Sequence, residues 1–577
     1  MFLDEENLPT LTWQGFERNL SRYLICNAFE GIRIVGKTGD RGADIIGHKY
    51  GKRWLFQAKN WKNKAGLAVL KETIEACKVY SASQPVIVSA NGFEDGVREQ
   101  QISYLNNKVN LQLWSGLDLC NLVKKLPEVT INKNPPRPYQ EEAIQQLVNT
   151  FFAGVRNNAL IVMATGLGKT FVMAEALRRI KVNKKINVLV LAHTNELVYQ
   201  LEKAFWPFLK PTEKTIIWNG LERPDLSSLN GASVVFGCIN SVSDEKDGFV
   251  REICPDIVIV DECHHVGGEM YMSVLKELRA GQEGGPFLIG LSATPWRPDE
   301  VEIQSIFGPP LISIDMIAGL KKGFLANVDY RIYTDNIDWN SLTKLNGSKF
   351  SPRNINKTLF ITEWDDGVVT ELVKVWRDQQ KPRGIVFCGT INHALQMRDR
   401  INAIGICNAQ AIYSGSVEGK IMTQFERNRI LCDFQDGKIN IVCAVDIFNE
   451  GVDVPDVNII VFQRVTHSRR IFVQQLGRGL RLAPDKEKVI VLDFVSDIRR
   501  FAAGLSLQRD LNNTEASPGK NIQNISINHK VSFKRAGQDD IESELFLKKW
   551  LEEVAEIEDA GEDSSVLKFP PKFKHSK

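Results

Sequence analysis

Ala159-Leu-Ile-Val-Met163-Ala-Thr-Gly-Leu-Gly168-Lys169-Thr170, running on into Phe171-Val-Met-Ala-Glu-Ala-Leu-Arg-Arg-Ile180, is the stretch on which the fold turns. Its apolar opening predicts a buried strand, Gly166 and Gly168 predict a tight turn, and the spacing from Phe171 onward predicts a helix. A strand feeding such a turn at a helix N-terminus aims backbone amides and the positive dipole end at one point, which suits a phosphate group. Thr165, Gly166 and Gly168 then form the cradle, Lys169 reaches the β- and γ-phosphates, and Thr170 holds Mg²⁺. Met163 stands where the literal G-x-x-x-x-G-K-[ST] pattern has its first glycine. The literal pattern does occur, at Gly31-Ile-Arg-Ile-Val-Gly36-Lys37-Thr38, but Gly39-Asp-Arg-Gly-Ala-Asp44 is a poor helix start and the match is set aside.

Downstream, Ile257-Val-Ile-Val260 is an apolar run ending in Asp261 and Glu262. A strand delivering two carboxylates to its carboxyl edge suits one that helps to hold Mg²⁺, Asp261, and one that orients an attacking water, Glu262. Further β-rich runs alternate with helical patterns twice over, at Ala159–Met163, Asn187–Leu191, Ser233–Phe236 and Ile257–Val260, then at Gly384–Phe387, Ile439–Val442, Ile459–Phe462 and Val489–Leu492. Such alternation predicts two tandem α/β domains built on parallel sheets.

Residues 137 to about 498 resemble a superfamily 2 helicase or translocase, in the branch with type I restriction motor subunits and XPB-like DNA helicases. Arg137-Pro-Tyr-Gln140 is similar to the motif whose glutamine reads adenine, and Leu191-Ala-His-Thr-Asn-Glu-Leu197 to motif Ia on the nucleic-acid track. Asp261 to His264 spells DECH, Ser292-Ala-Thr294 matches the S-A-T motif, and Gly451-Val-Asp453 falls in motif V. Gln474-Gln-Leu-Gly-Arg478-Gly-Leu-Arg481 matches motif VI. The resemblance implies two RecA-like domains with ATP between them, Arg137, Gln140, Gly451 and Asp453 on the nucleotide, and Arg478 and Arg481 completing the site. Asn195 and Val445 stand where RNA-unwinding DEAD-box relatives carry Arg and Thr, which weakens the RNA-helicase reading.

Ala43-Asp-Ile-Ile-Gly-His48 and Arg53-Trp-Leu-Phe-Gln-Ala-Lys59 predict a hairpin turning near Tyr50-Gly51. With a two-residue turn, Asp44 falls opposite Gln57, and Lys59 shares the face of Gln57 because side chains alternate. A carboxylate, an amide oxygen and an ammonium on one face suit a divalent metal beside a lysine that stabilises a pentavalent phosphate. An upstream helix is expected to place Trp13, Glu17, Leu20 and Leu24 on one stripe, with Glu17 pointing inward as a fourth member. Residues 13 to 126 resemble the Mrr-type branch of PD-(D/E)xK restriction endonucleases, through Glu17, Thr38-Gly-Asp-Arg-Gly-Ala-Asp44, Gln57-Ala-Lys59 and Pro85-Val-Ile-Val-Ser-Ala-Asn-Gly-Phe93. That resemblance implies Asp44, Gln57, Lys59 and Glu17 as the nuclease centre, with Asp44, Gln57 and Glu17 toward the metal. Lys52, Arg53, Lys59, Lys62, Lys64, Lys71 and Lys78 supply a local basic surface.

Length and composition frame these motifs. At about 150 residues per domain, 577 residues predict roughly four domains or three with long connections. With 43% hydrophobic and 25% charged residues the chain is expected to fold, and 72 basic against 70 acidic residues leave no global field for nucleic acid. Ten cysteines without a C-x-x-C pair argue against a zinc ribbon or a disulfide framework. The N-terminus lacks a signal-peptide pattern and no apolar run is long enough to span a bilayer, so a soluble, cytoplasmic protein without membrane attachment is expected. Three prolines in Pro135-Pro-Arg-Pro138 mark a linker. The expected division is an Mrr-like domain over 1–128, a linker over 129–136, RecA-like domains over 137–328 and 329–498, and a C-terminal extension over 499–577. Within the extension, 512–540 read as polar and irregular, and Leu547, Leu551, Val554 and Ile557 predict an amphipathic helix over 541–560.

The functional expectation is an ATP-dependent DNA helicase or translocase coupled to a metal-dependent DNA endonuclease, in restriction or phage defence. ATP and Mg²⁺ are its cofactors and duplex or branched DNA its substrate. A protein partner or a second copy is expected to dock through the nuclease or the C-terminal helix. Two other readings stay open: a repair helicase whose N-terminal domain grips DNA without cutting, and an ATP-driven nucleic-acid sensor that signals to a partner.

Overall fold

A computed structural model describes residues 1–35, 42–128, 135–266, 268–293, 300–314, 319, 322–333, 362–413, 416–417, 420–445, 456–463, 486, 488–494, 525–527 and 531–536. The expected C-terminal helix over 541–560 lies outside these residues. No helix among the described residues is long and apolar enough to cross a membrane.

The N-terminal sheet is flanked by helices on both faces. Helix α1 (Trp13–Cys26) starts where the Thr12 hydroxyl accepts the Gly15 amide at 3.0 Å, relieving one of the unpaired donors of the first turn. It is followed by β1 (Glu30–Ile34), β2 (Ile45–Lys49), β3 (Lys52–Lys59), α2 (Leu67–Tyr80), β4 (Gln84–Ser89), α3 (Val97–Asn106), β5 (Gln112–Ser115) and α4 (Gly116–Lys124). The strands lie in sequence order, antiparallel through β3 and parallel from β3 to β5. Side-chain alternation along β4 builds two cores. Val86 and Val88 join Phe16, Leu20, Leu24, Phe56 and Leu119 on one face, while Ile87 joins Val69, Leu70 and Val97 on the other. Each large side chain so buried contributes about 1.5–3 kcal/mol. Gly31 to Ile34 belong to β1, so the rejected phosphate-loop pattern opens in a strand, and Gly36, Lys37 and Thr38 lie outside the described residues.

The next sheet contains the decisive stretch. Its elements are α5 (Pro138–Ala153), β6 (Asn158–Met163), α6 (Lys169–Asn183), β7 (Val188–Ala192), α7 (Asn195–Phe205), β8 (Thr215–Trp218), β9 (Val234–Cys238), α8 (Ile239–Asp244), α9 (Lys246–Ile253), β10 (Ile257–Val260), α10 (Glu269–Glu277), β11 (Phe287–Ser292), α11 (Glu300–Phe307) and β12 (Pro310–Ile314). The strand order is β12-β6-β11-β10-β7-β9-β8, with β10 parallel to both β11 and β7. Crossovers of this kind bury both faces of a sheet, and β7, β9, β10 and β11 are buried along their whole length.

The third sheet belongs to a second compact body. It is built from β13 (Asn327–Tyr333), α12 (Thr362–Arg377), β14 (Gly384–Cys388), α13 (Ile391–Ile404), β15 (Ala409–Tyr413), the short ladder β16 (Ser416–Val417) and β17 (Lys420–Ile421), α14 (Gln424–Gln435), β18 (Ile441–Val445), β19 (Ile459–Gln463), β20 (Lys488–Asp493), β21 (Ile525–Ile527) and β22 (Val531–Ala536). The order is β15-β18-β14-β19-β20-β13-β22-β21. Two strands of this sheet fall within 512–540, the stretch the sequence marks as irregular. Strand β22 runs parallel to β13, pairing Val328 with Val531, and β21 folds back on it. Backbone pairing there does not depend on the run of apolar residues by which buried strands are read in sequence.

Candidate active sites

The expected nucleotide loop is a turn between β6 and α6. Gly166 and Gly168 both hold left-handed backbone, with φ of 93° and 86°. At Gly168 a side chain is excluded twice over, since an added Cβ would also stand 2.6 Å from the Gln140 amide nitrogen. Gln140 is therefore packed against the loop from α5, where its Oε1 accepts the Arg137 amide at 2.9 Å. Arg179 fixes α5 against α6 through a forked pair of 2.7 Å bonds to Glu141, and it also reaches Glu175 at 2.9 Å. Thr165 and Thr170 are both partly exposed along this turn. A glycine cradle, the first amides of a fifteen-residue helix and a lysine at its start fit the phosphates of a nucleotide.

Asp261 and Glu262 follow β10 at the same sheet edge. The Lys169 ammonium lies 3.3 Å from Glu262 Oε1, and Glu262 adopts left-handed backbone with φ of 47°. Burial, and next the Glu262 charge, push the Asp261 carboxyl up to about 6. His264 Nδ1 is 3.3 Å from Glu262 Oε2 and 3.4 Å from Ser292 Oγ, so the S-A-T serine and the DECH histidine meet. Thr294, Gly451, Asp453, Arg478 and Arg481 lie outside the described residues.

At the N-terminal sheet the hairpin register is the one read from the sequence. Ile45 pairs with Phe56 and His48 with Arg53, joined by Tyr50 and Gly51 at φ of 55° and 69°, the two-residue turn with positive φ at both positions. Asp44, one residue beyond the ladder, accepts the Ala58 amide on Oδ2 at 2.6 Å. Gln57 is fully buried; its Oε1 accepts the Thr73 hydroxyl, and its Nε2 donates to Glu72 Oε2 at 3.1 Å. Lys59 stands 3.9 Å from that same Glu72 oxygen and 4.9 Å from the centre of the Trp61 ring. Glu17 is buried on α1, beside the core members Phe16 and Leu20.

Two expectations change. Trp13 is 52% exposed, so the buried stripe of α1 runs through Phe16, Leu20, Tyr23 and Leu24 instead. Arg53 is buried and donates to the Tyr80 carbonyl, which removes it from the basic surface and makes it a tie between β3 and α2. Among the described residues no three His, Cys, Asp or Glu side chains come close enough to hold a metal, and the expected set of Asp44, Gln57 and Glu17, two carboxylates and an amide, is not such a trio. A metal at this face would rest on Asp44, the Gln57 carbonyl and water, a sparse oxygen set of the kind Mg²⁺ accepts. Glu72 and Thr73 went unread because α2 shows only its apolar spacing, while their value lies in meeting the Gln57 side chain from the helix packed on its face of the sheet.

Comparison with known proteins gives three matches in chain order. Residues 8–123 match the restriction endonuclease model of the Mrr catalytic family. Residues 133–297 match the type III restriction enzyme res subunit model, and 367–483 the helicase conserved C-terminal domain. The chain carries an Mrr-type restriction endonuclease domain followed by a ResIII domain and a helicase C-terminal domain. The endonuclease subunit of the type I restriction enzyme EcoAI from Escherichia coli is 26% identical over 517 residues, 82% of this chain and 62% of that one. The DNA 3'-5' translocase XPB2 of Sulfurisphaera tokodaii is 26% identical over 407 residues, 64% of this chain and 84% of that one. This chain spans 51% to 64% of the length of four curated relatives. In fold it is similar to the ATP-dependent type ISP restriction-modification enzyme LlaBIII, with a TM-score of 0.52 and 16% identity across 93% of this chain and 41% of that one.

Proposed function

We propose that this chain is an ATP-driven DNA translocase or helicase whose N-terminal domain is a metal-dependent DNA endonuclease, acting in restriction or phage defence in the cytoplasm. The juxtaposition of Lys169 with Glu262, 3.3 Å apart where a glycine loop meets the end of β10, carries the proposal. In it, Lys169 binds the β- and γ-phosphates, Gln140 and Arg137 contact the base, and Glu262 orients the attacking water. Thr165, Gly166 and Gly168 present the loop backbone, while Thr170 and Asp261 hold Mg²⁺, which when bound neutralises charge on the transferring phosphoryl group. Gly451, Asp453, Arg478 and Arg481 complete the site by resemblance.

At the nuclease face Asp44 and the Gln57 carbonyl would hold the metal with Glu17 beside them, and Lys59 would stabilise charge on the scissile phosphate. The relatives' names, a restriction endonuclease subunit and a DNA translocase, support duplex or branched DNA as the substrate. One observation favours the second reading, a DNA grip that does not cut: both polar atoms of Gln57 are engaged, by Thr73 and Glu72.

The test is purified protein with plasmid and forked DNA, with Mg²⁺, with and without ATP, beside Lys59→Ala and Lys169→Ala. ATP-dependent cuts lost in Lys59→Ala, with phosphate release retained, support the motor-fed nuclease. Phosphate release without cuts on any substrate replaces it with the non-cleaving grip.

A further inference from the structure

Helix α1 serves two domains at once. Successive helical residues point about 100° apart. Glu17 is accordingly buried among nuclease residues, while its neighbour Arg18 reaches into the first motor domain. Arg18 donates to both oxygens of Glu202 on α7, at 2.8 and 3.0 Å, and to both of Glu222, at 2.7 and 3.2 Å. The stripe continues at i+4 and i+8. Arg22 donates to the carbonyls of Glu213 and Lys210 at 2.8 and 2.9 Å, and the Cys26 sulfur lies 4.0 Å from the Trp206 carbonyl.

The cluster is dry, with Arg18, Glu202 and Glu222 side chains 12%, 1% and 5% exposed. Its acceptors are further fixed: the Thr215 hydroxyl donates to Glu202 at 2.6 Å and the Tyr199 hydroxyl to Glu222 at 2.9 Å. Replacing a buried ionic triad with apolar residues of similar volume is often neutral or stabilising, so adhesion alone does not call for one. What forked, charge-assisted bonds add is a defined register.

The other end of α7 leads to the nucleotide loop. The Thr194 hydroxyl caps α7, accepting the Leu197 amide at 3.2 Å. His193, one residue earlier, packs on His265 with ring centres 4.3 Å apart, and His265 on His264 at 4.5 Å. His264 is 3.3 Å from Glu262, and Glu262 is 3.3 Å from Lys169. A triphosphate competes with Glu262 for that ammonium, so nucleotide changes the contacts at one end of the chain; such a differential contact is what a ligand-driven shift requires.

We propose that nucleotide at Lys169 is felt at Glu17 through Glu262, the tilted ring contacts of His264, His265 and His193, α7 and the Arg18 fork, which makes Arg18 a positioning residue of the nuclease. This rests on the ATP-motor and nuclease reading for the identity of the two ends.

Hydrogen exchange on the full chain tests it, read at α6, at the start of α7 and at α1, with and without adenylyl imidodiphosphate and Mg²⁺. The native chain is expected to change its α1 exchange severalfold on adding the analogue. The triple variant Arg18→Met, Glu202→Met, Glu222→Leu, and separately Arg18→Lys, are expected to bind the analogue with unaltered Kd and to leave α1 unmoved. Exchange that changes around Lys169 while native α1 stays unchanged overturns the coupling and leaves the ATP-site reading standing. Variants that keep the native α1 response also overturn it, and no change around Lys169 at all removes the ATP-site reading and the coupling together.

Discussion

Lys169 Nζ and Glu262 Oε1 stand 3.3 Å apart, so the ammonium aimed at the phosphate cradle is balanced by the carboxylate assigned to the attacking water. The pair brings one cation to a site with two carboxylates: the Lys169 charge lowers the Asp261 carboxyl but is outweighed by burial and the Glu262 charge, which hold it above its ordinary value.

Lys169→Ala deletes both the phosphate contact and that balance. Loss of a preorganised electrostatic group in such a site costs about 10²–10³ in turnover. ATP-driven phosphate release is expected to fall by at least that factor in the presence of DNA. A variant retaining more than a tenth of native phosphate release removes Lys169 from the role assigned to it.

Asp261→Asn separates function from stability. Asp261 titrates near 6 in the folded chain, above its ordinary 3.8, because burial and the Glu262 charge disfavour its ionised form. Between those two values the folded chain holds a proton that the unfolded chain has released, so stability falls as pH rises toward 6 and the penalty persists above it. Asn carries no charge, so without nucleotide or metal the variant is expected to melt higher than the native chain at pH 8, with the gap narrowing toward pH 4. Hydrolysis is expected to be lost at both. Thermal midpoints across that range check the sign.

Gly168→Ala addresses the loop backbone alone. Left-handed φ costs an ordinary residue about 1–2 kcal/mol, and the new methyl would also press on the Gln140 amide. Nucleotide affinity is expected to drop at least about tenfold, the equivalent of 1.4 kcal/mol, with the far-UV spectrum unchanged. Titration with a fluorescent ATP analogue measures it.

What the sequence disclosed follows from how locally each feature is encoded. The β2–β3 hairpin was legible because two contiguous strand patterns leave room for only a short turn near Tyr50-Gly51, and once that turn has two residues it fixes the pairing of Ile45 with Phe56. The Gly168-Lys169 loop was legible for the same reason, strand, turn and helix being contiguous. Arg18 was not, because its partners lie 184 and 204 residues away and nothing in the spacing of α1 distinguishes a buried fork from a solvated arginine. Trp13 misled because it follows the apolar spacing yet sits in the first turn, before the helix reaches the core formed by Phe16 and Leu20. Strand β22 lacks a continuous apolar run, and its place is set by pairing with β13.

Glu72 is the nuclease-face residue that only the fold reveals, and it gives the last prediction. Its Oε2 accepts from Gln57 Nε2 at 3.1 Å and lies 3.9 Å from Lys59 Nζ, so one carboxylate orients the amide and restrains the ammonium. The amide orientation matters because it turns Gln57 Oε1 toward Thr73 and fixes which lone pair is left for another partner. Glu72 is half exposed, so its removal leaves no buried charge behind and the fold is expected to tolerate it. Glu72→Gln keeps an acceptor for the amide but removes the charge beside Lys59, whereas Glu72→Ala removes both. If Asp44, Gln57 and Lys59 act together on DNA, cleavage is expected to fall by about tenfold in Glu72→Ala and by less in Glu72→Gln, in line with the 10–100-fold cost of losing an outer-shell partner. ATP hydrolysis is expected to be unchanged in both variants. Equal cleavage by native chain and Glu72→Ala would show that the Gln57 amide needs no such restraint, and parallel loss of phosphate release would mean that the substitution acts on the fold and not on the nuclease face.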